Sequence, residues 1–193
     1  LDAGGIAVES GDRADGAPIV IAGGPCAYNP EPLADFVDAF LMGDGETAAL
    51  QMLRVIGEGR RRGLPREDVL LALARVEGVY VPRFYQPEYR EDGRLAAFSA
   101  VRPGVPSLIV KRIEPDLDLA AYPETTPLPF TEAVHDRIVL EIMRGCTRGC
   151  RFCQAGMLYR PVRERSPEKL FRLAEKLVAS TGYEEISLSS LST

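Results

Sequence analysis

The sequence predicts an α/β protein in two parts, and three observations carry that reading. Two short apolar runs end on glycines, in "APIVIAGGPCAYNPEP" and in "FVDAFLMGDGE". Stretches with helical spacing of apolar residues follow them. Near the end, residues 137–189 read as strand, loop, amphipathic helix and strand. Such alternation belongs to parallel sheets whose strands are joined by crossover helices.

Taken in order, Pro18 to Ala22 is expected as a buried strand that runs into a tight turn at Gly23 and Gly24. The run ending at Met42 repeats the pattern and meets Gly43, Asp44, Gly45 and Glu46. In "TAALQMLRVIGEGRRR" the apolar residues at 49, 50, 53, 55 and 56 predict the buried face of a helix. Residues 1–60 therefore read as strand, helix, strand, helix. In sheets of that kind the glycine-rich turns lie at the carboxyl ends of strands, where ligands bind. A second helix is expected over "LPREDVLLALARVEG", with Pro65 in its first turn and Gly78 as its stop. "YVPRFYQPEYREDGRLAAFSAV" predicts a hairpin turning at Asp92-Gly93. Residues 102–130 are proline-rich and are expected as an irregular connector.

Arg137 to Met143 predicts the next strand. "SPEKLFRLAEKLVAST" predicts a helix with Ser166 as N-cap, Pro167 at its first position and Leu170, Leu173, Leu177 and Val178 on one face. Gly182 ends it and "EEISLSS" forms the following strand. The expected domains are 1–78, a connector at 79–133, and 134–193.

Charge supports a boundary in that region. Residues 1–133 hold 13 basic and 21 acidic residues, whereas residues 134–193 hold 10 basic and 7 acidic, so the second part is the one suited to anions. Hydrophobic residues make up 46% of the chain and charged residues 26%, which fits an ordinary globular protein. No apolar run approaches the ~18 residues of a membrane span. The start, "LDAGGIAVESGDR", lacks the basic and apolar regions of a signal peptide. Both ends look cut, so a fragment of a longer protein is expected. Four cysteines without a secretory signal point to a reducing compartment, hence a cytoplasmic protein whose clustered thiols bind metal.

Three of those thiols sit in "MRGCTRGCRFCQAGM", as Cys146, Cys150 and Cys153. A disulfide would leave one over. Structural zinc wants four ligands, and here the fourth would have to be distant, with Cys26 and His135 as candidates. A ferredoxin-type cluster wants four cysteines. A [4Fe–4S] cluster held by three thiolates leaves one iron open, and a loop at the carboxyl end of a strand is where a barrel places its chemistry. Zinc and cluster both remain open on the residues alone.

C-x3-C-x2-C with an aromatic residue, Phe152, just before the last cysteine resembles the signature of the radical S-adenosylmethionine (SAM) superfamily. The longer string "EIMRGCTRGCRFCQAGMLYRPVRERSPE" resembles an uncharacterised bacterial radical SAM family with a cobalamin-binding-like domain upstream of its barrel. "IAGGPCAYNPEPLADFVDAFLMGDGE" looks like the last two strands of that upstream domain. The resemblance implies the C-terminal part of a Rossmann-like, cobalamin-binding-type domain followed by the start of a partial TIM-type barrel. It implies that Cys146, Cys150 and Cys153 ligate a [4Fe–4S] cluster and that the open iron chelates SAM. Reductive cleavage of SAM would then give a 5′-deoxyadenosyl radical. Phe152 would lie near the adenine, and a one-electron donor such as flavodoxin or ferredoxin would be needed. The substrate is unknown, and a truncated barrel would be inactive alone.

Further assignments follow from the resemblance, each beside a plainer one. Ser189, Ser190 and Ser192 occupy the place of a SAM-contacting turn, or simply cap a strand. Gly23, Gly24, Gly43 and Gly45 resemble loops around a cobalamin tail, or are simple turns. His135 reads as a linker residue rather than a cobalt ligand, and Cys26 as a small buried residue. Arg144, Arg148, Arg151, Arg160, Arg163 and Arg165 stand against Glu164 alone over residues 144–165. They read as a solvated basic face, as compensation for an anionic cluster and the SAM carboxylate, or as a nucleic-acid surface. A non-catalytic zinc or iron–sulfur module is the rival to the enzyme, and RNA modification is a third possibility.

Overall fold

The structure is a computed structural model that describes residues 1–131 and 136–192. His135 and the expected boundary at 133/134 lie outside the described residues. The chain divides into two compact units, Leu1–Ile113 and Glu114–Thr193. The hairpin belongs to the first unit, and the division falls within the stretch read from sequence as connector.

In the first unit, β1 (Ile21–Ala22) pairs in parallel with β2 (Ala39–Leu41), and β3 (Val79–Tyr80) pairs antiparallel with β2. The sheet is therefore mixed, with β2 in the middle and wholly buried. The expected buried strand at 18–22 is corrected: β1 is an edge of this sheet, and Ile21 is 38% exposed. The expected helix between β1 and β2 is also absent. Two short 3-10 turns, Pro25–Tyr28 and Glu31–Leu33, make the connection. Pro25, Pro30 and Pro32 explain this, because each lacks the N–H that an α-helix interior requires.

Helix α1 (Ala48–Arg61) forms where expected but buries a different face. Ala48, Met52, Ile56 and Gly59 point inward, while Leu50 and Leu53 are 52% and 60% exposed. Gly59 explains the choice. A Cβ there would stand 2.5 Å from Val69 Cγ2, so the bare backbone is what lets α2 (Arg66–Leu73) pack closely. The core gathers Phe40, Met52, Leu70, Leu73, Val79 and Phe84. The hairpin of β4 (Tyr85–Tyr89) and β5 (Leu95–Ala100) turns as predicted, with Gly93 at φ +78° and Tyr85 stacked on Phe98 at 5.6 Å.

In the second unit, β6 (Ile138–Glu141) pairs in parallel with β9 (Ile186–Ser189), in register from Ile138↔Ile186 to Glu141↔Ser189. β7 (Met143–Arg144) pairs antiparallel with β8 (Arg163–Glu164). Between them lies the one-turn α3 (Ala155–Leu158), and α4 (Pro167–Thr181) crosses from β8 to β9. The β6–α4–β9 crossover is the one the periodicity predicts. Ser166 caps α4 by accepting from the Lys169 N–H at 3.2 Å, and Gly182 ends it at φ +74°. Leu173 and Leu177 pack on Ile138 and Leu140, whereas Val178 turns out to be exposed.

Candidate functional site

The three clustered cysteines lie on one loop, residues 145–162, closed at its neck by the β7–β8 pair. Gly145 opens the loop at φ +97°, and its missing side chain matters twice. L side chains rarely adopt that φ, and a Cβ would meet Pro161 O at 2.7 Å and Tyr159 O at 2.8 Å. The loop therefore leaves β7 pressed against its own returning backbone.

Cys146 is buried, Cys153 half-buried and Cys150 exposed, and none is in a disulfide. The Arg148 N–H points at Cys146 Sγ at 3.4 Å, and the Cys153 N–H donates to Cys150 O at 3.1 Å, forming a turn. Among the described residues, no group of three or more His, Cys, Asp or Glu side chains is gathered closely enough to hold a metal ion. The donor chemistry still fits a thiophilic cluster: three thiols outside any disulfide share one loop.

The strand ends bring more residues to this loop. A cleft of 230 Å³ is lined by Glu141, Arg144, Gly145 and Tyr159 on one side and by Ser189 and Ser190 on the other. Arg148 Nε reaches Ser192 Oγ at 3.5 Å. The serine turn after β9 thus adjoins the thiol loop. Phe152 is 91% exposed. The structure separates the six arginines, so neither a uniform solvated face nor uniform charge compensation describes them. Arg163 is buried and donates to the backbone carbonyls of Glu114, Tyr159 and Pro161. Arg165 is buried, donates to Leu117 O and lies over the Tyr122 ring at 4.8 Å. Arg144 forms a two-bonded pair with Glu141, both contacts at 2.9 Å. Arg148, Arg151 and Arg160 are the exposed ones.

Glu141 is the residue that the sequence reading overlooked. Its carboxylate accepts from Arg144 on β7 and from Arg165, just past β8, at 3.3 Å. Burial pushes its carboxyl up, but the two guanidinium groups outweigh that and hold it below the ordinary value. An acidic residue closing a strand three positions before an arginine was the available signal.

In the first unit, Gly43 has φ +107° and would place a Cβ 2.0 Å from Arg112 O, so its bare backbone serves the chain's own packing. The Asp44 N–H donates to Arg112 O beside it. Gly24, at φ +89°, has open space where a Cβ would stand, Gly23 lies beside β2, and a Cβ at Gly45 would meet only the Leu41 side chain, at an ordinary 3.9 Å. Cys26 is exposed, which corrects the expectation of a buried residue. It sits in the proline-broken turn after β1, where no helix forms to cover it.

Residues 140–192 match the radical SAM superfamily, and residues 1–82 match the description "Radical SAM proteins, N-terminal". The chain belongs to the radical SAM superfamily. An uncharacterized protein of Methanocaldococcus jannaschii is 34% identical to this radical SAM chain over 172 residues, covering 88% of the chain and 31% of that protein. Threonylcarbamoyladenosine tRNA methylthiotransferase MtaB of Bacillus subtilis is 31% identical over 109 residues, 56% of the chain and 20% of that protein. The chain thus spans under a third of the length of either curated relative. No solved structure matches it. Radical SAM membership implies in general a [4Fe–4S] cluster and SAM. Among the described residues, no helix is long and apolar enough to cross a membrane.

Proposed function

We propose that this chain is part of a radical SAM enzyme in which Cys146, Cys150 and Cys153 hold a [4Fe–4S] cluster with one iron left for SAM. One observation carries the reading: three thiols outside any disulfide share a loop at the carboxyl end of β6, beside a cleft that the serine turn after β9 completes. When bound, the cluster would supply the electron that cleaves SAM and so start radical chemistry on a substrate yet to be identified. The chain's own part is to hold and orient. Gly145 sets the path of the loop, and Ser189 and Ser190 offer hydroxyls to a polar group in the cleft. The exposed ring of Phe152 is available to cover the flat face of a ligand.

In the first unit, the open space where a Gly24 Cβ would stand leaves a cobalamin contact as a subsidiary proposal, with Gly23 and Gly45 near the same strand ends. Gly43 is explained without it. The Bacillus relative is by name a tRNA methylthiotransferase, and exposed Arg148 and Arg151 would suit a phosphate backbone. A nucleic-acid substrate is therefore a second proposal, tested by salt-dependent RNA binding that Arg148→Gln and Arg151→Gln weaken. An external one-electron donor, flavodoxin or ferredoxin in kind, completes the proposal.

The test is electron paramagnetic resonance on anaerobically reconstituted, dithionite-reduced protein. A [4Fe–4S]⁺ signal that changes on adding SAM, and disappears when any of the three cysteines becomes serine, is the expected result. A signal indifferent to SAM, or zinc bound in place of iron, would overturn the enzyme reading in favour of a structural metal module.

A further inference from the structure

The thiol loop hangs from a neck of two residue pairs, Met143↔Glu164 and Arg144↔Arg163. So short an antiparallel ribbon is not stable by itself. Something must hold its two stems together, and the side chains around it show what does. The Glu141 carboxylate, on the last position of β6, bonds both stems at once. On the incoming stem it receives Arg144 Nε and Nη2 at 2.9 Å each, and on the outgoing stem Arg165 Nη2 at 3.3 Å. Arg165 also donates through Nε to the Glu141 backbone carbonyl at 3.1 Å, while the Arg165 N–H donates to Ile142 O at 2.9 Å. The Tyr122 ring lies under the Arg165 guanidinium, and the Tyr122 hydroxyl donates to Val139 O at 2.8 Å, so the clamp is backed from below.

We infer that Glu141 is a positioning residue that closes the neck of the thiol loop and thereby sets how Cys146, Cys150 and Cys153 are presented. Charge-assisted hydrogen bonds to a partly withdrawn carboxylate are the strong kind, and here one carboxylate restrains both stems, whereas the Arg163 side chain bonds the returning side of the loop, at Tyr159 O and Pro161 O. Without that restraint the stems part, the loop samples open forms, and a cluster would meet thiols spread over many arrangements. The inference rests on the proposed cluster-binding role only for its last step, since the closure belongs to the iron-free chain.

The experiment exploits Arg148 and Arg151, two exposed trypsin sites inside the loop. Cleavage through local opening follows the population of the open form. In the iron-free chain, Glu141→Gln should speed cleavage after Arg148 and Arg151 by about tenfold, the size expected from losing one charged hydrogen bond. Cleavage after Arg60 to Arg62, in the first unit, should not change. Glu141→Asp, too short to span both stems, should fall between. After reconstitution, Glu141→Gln should bind less iron and sulfide and give a broadened reduced signal. Equal cleavage rates in all three proteins would overturn the inference. So would faster cleavage accompanied by a cluster content and signal identical to the parent's, because the neck would then not set how the thiols are presented. If the parent binds no cluster while Glu141→Gln is still cut faster in the loop, the clamp stands and the cluster proposal falls.

Discussion

Arg13 donates to Asp38 at 2.8 Å inside the first unit, with both side chains fully withdrawn from solvent. Asp38 also receives Arg66 at 2.7 Å and the Val20 N–H at 2.7 Å, all on the same oxygen, Oδ2. Arg13 further donates to Ala7 O, Val8 O and Phe36 O, so the polar cluster ties the first residues of the chain to the entry of β2. Removing one member of a buried ionic cluster leaves the others uncompensated, at about 3–5 kcal/mol. Asp38→Ala should shift the urea midpoint of the first unit accordingly. A loss below about 1 kcal/mol, the range of a surface pair, would show that water reaches the cluster.

Gly145 and Gly182 both have left-handed φ, at +97° and +74°, but only Gly145 is crowded. Alanine at 182 should therefore cost about 1 kcal/mol, the usual price of a side chain in that conformation. Alanine at 145 should cost more, because the added methyl meets backbone atoms at 2.7–2.9 Å. Thermal melts of the two variants should rank in that order, and the reverse order would contradict the described path of the thiol loop.

Ser166 is tied at both its hydroxyl and its N–H. The hydroxyl accepts from Lys169, and the Ser166 N–H donates to Asp118 Oδ1 at 2.9 Å. Ser166→Ala should destabilise α4 by about 1 kcal/mol, while Ser166→Asp should retain most of the cap. An unchanged melting temperature for Ser166→Ala would mean that Asp118 alone holds the helix start.

The second unit should weaken in acid. The Glu141 carboxyl is held below its ordinary value, because Arg144 and Arg165 outweigh the opposing effect of burial. Its stabilisation is thus complete above the unfolded value of about 4.3 and is lost as pH falls through the lower folded value. Glu141→Gln should flatten that acid limb in a melting-temperature series from pH 6 down to pH 3. An acid limb of unchanged slope would show that other carboxylates control it.

Much of the fold was legible because it is encoded locally. The Ser166 cap, the apolar spacing through Leu173 and Leu177, and Gly182 delimit α4 from neighbouring residues alone. Asp92-Gly93 announces the hairpin in the same way. The missing helix between β1 and β2 was local information too, present in Pro25, Pro30 and Pro32 but outweighed by the expected alternation. The buried face of α1 was not local. Leu50 and Leu53 look as apolar as Met52 and Ile56, and the choice fell to Gly59, whose bare backbone admits Val69 from another helix.

The candidate site divides along the same line. Sequence alone determined the spacing of Cys146, Cys150 and Cys153, their place just after a strand, and the crossover that brings the serine turn back beside that strand. These depend on residue order and on the short-range periodicities of helix and strand. Only the tertiary structure decided what the charged residues do: Arg163 and Arg165 turn inward to carbonyls, Arg144 pairs with Glu141, and Arg148 and Arg151 stay in water. A long, flexible guanidinium chooses its partner from whatever the fold brings within reach: Glu114 and Leu117 come to the neck of the loop from well up the chain, and Glu141, just before the neck, is shared with Arg165 from the returning side.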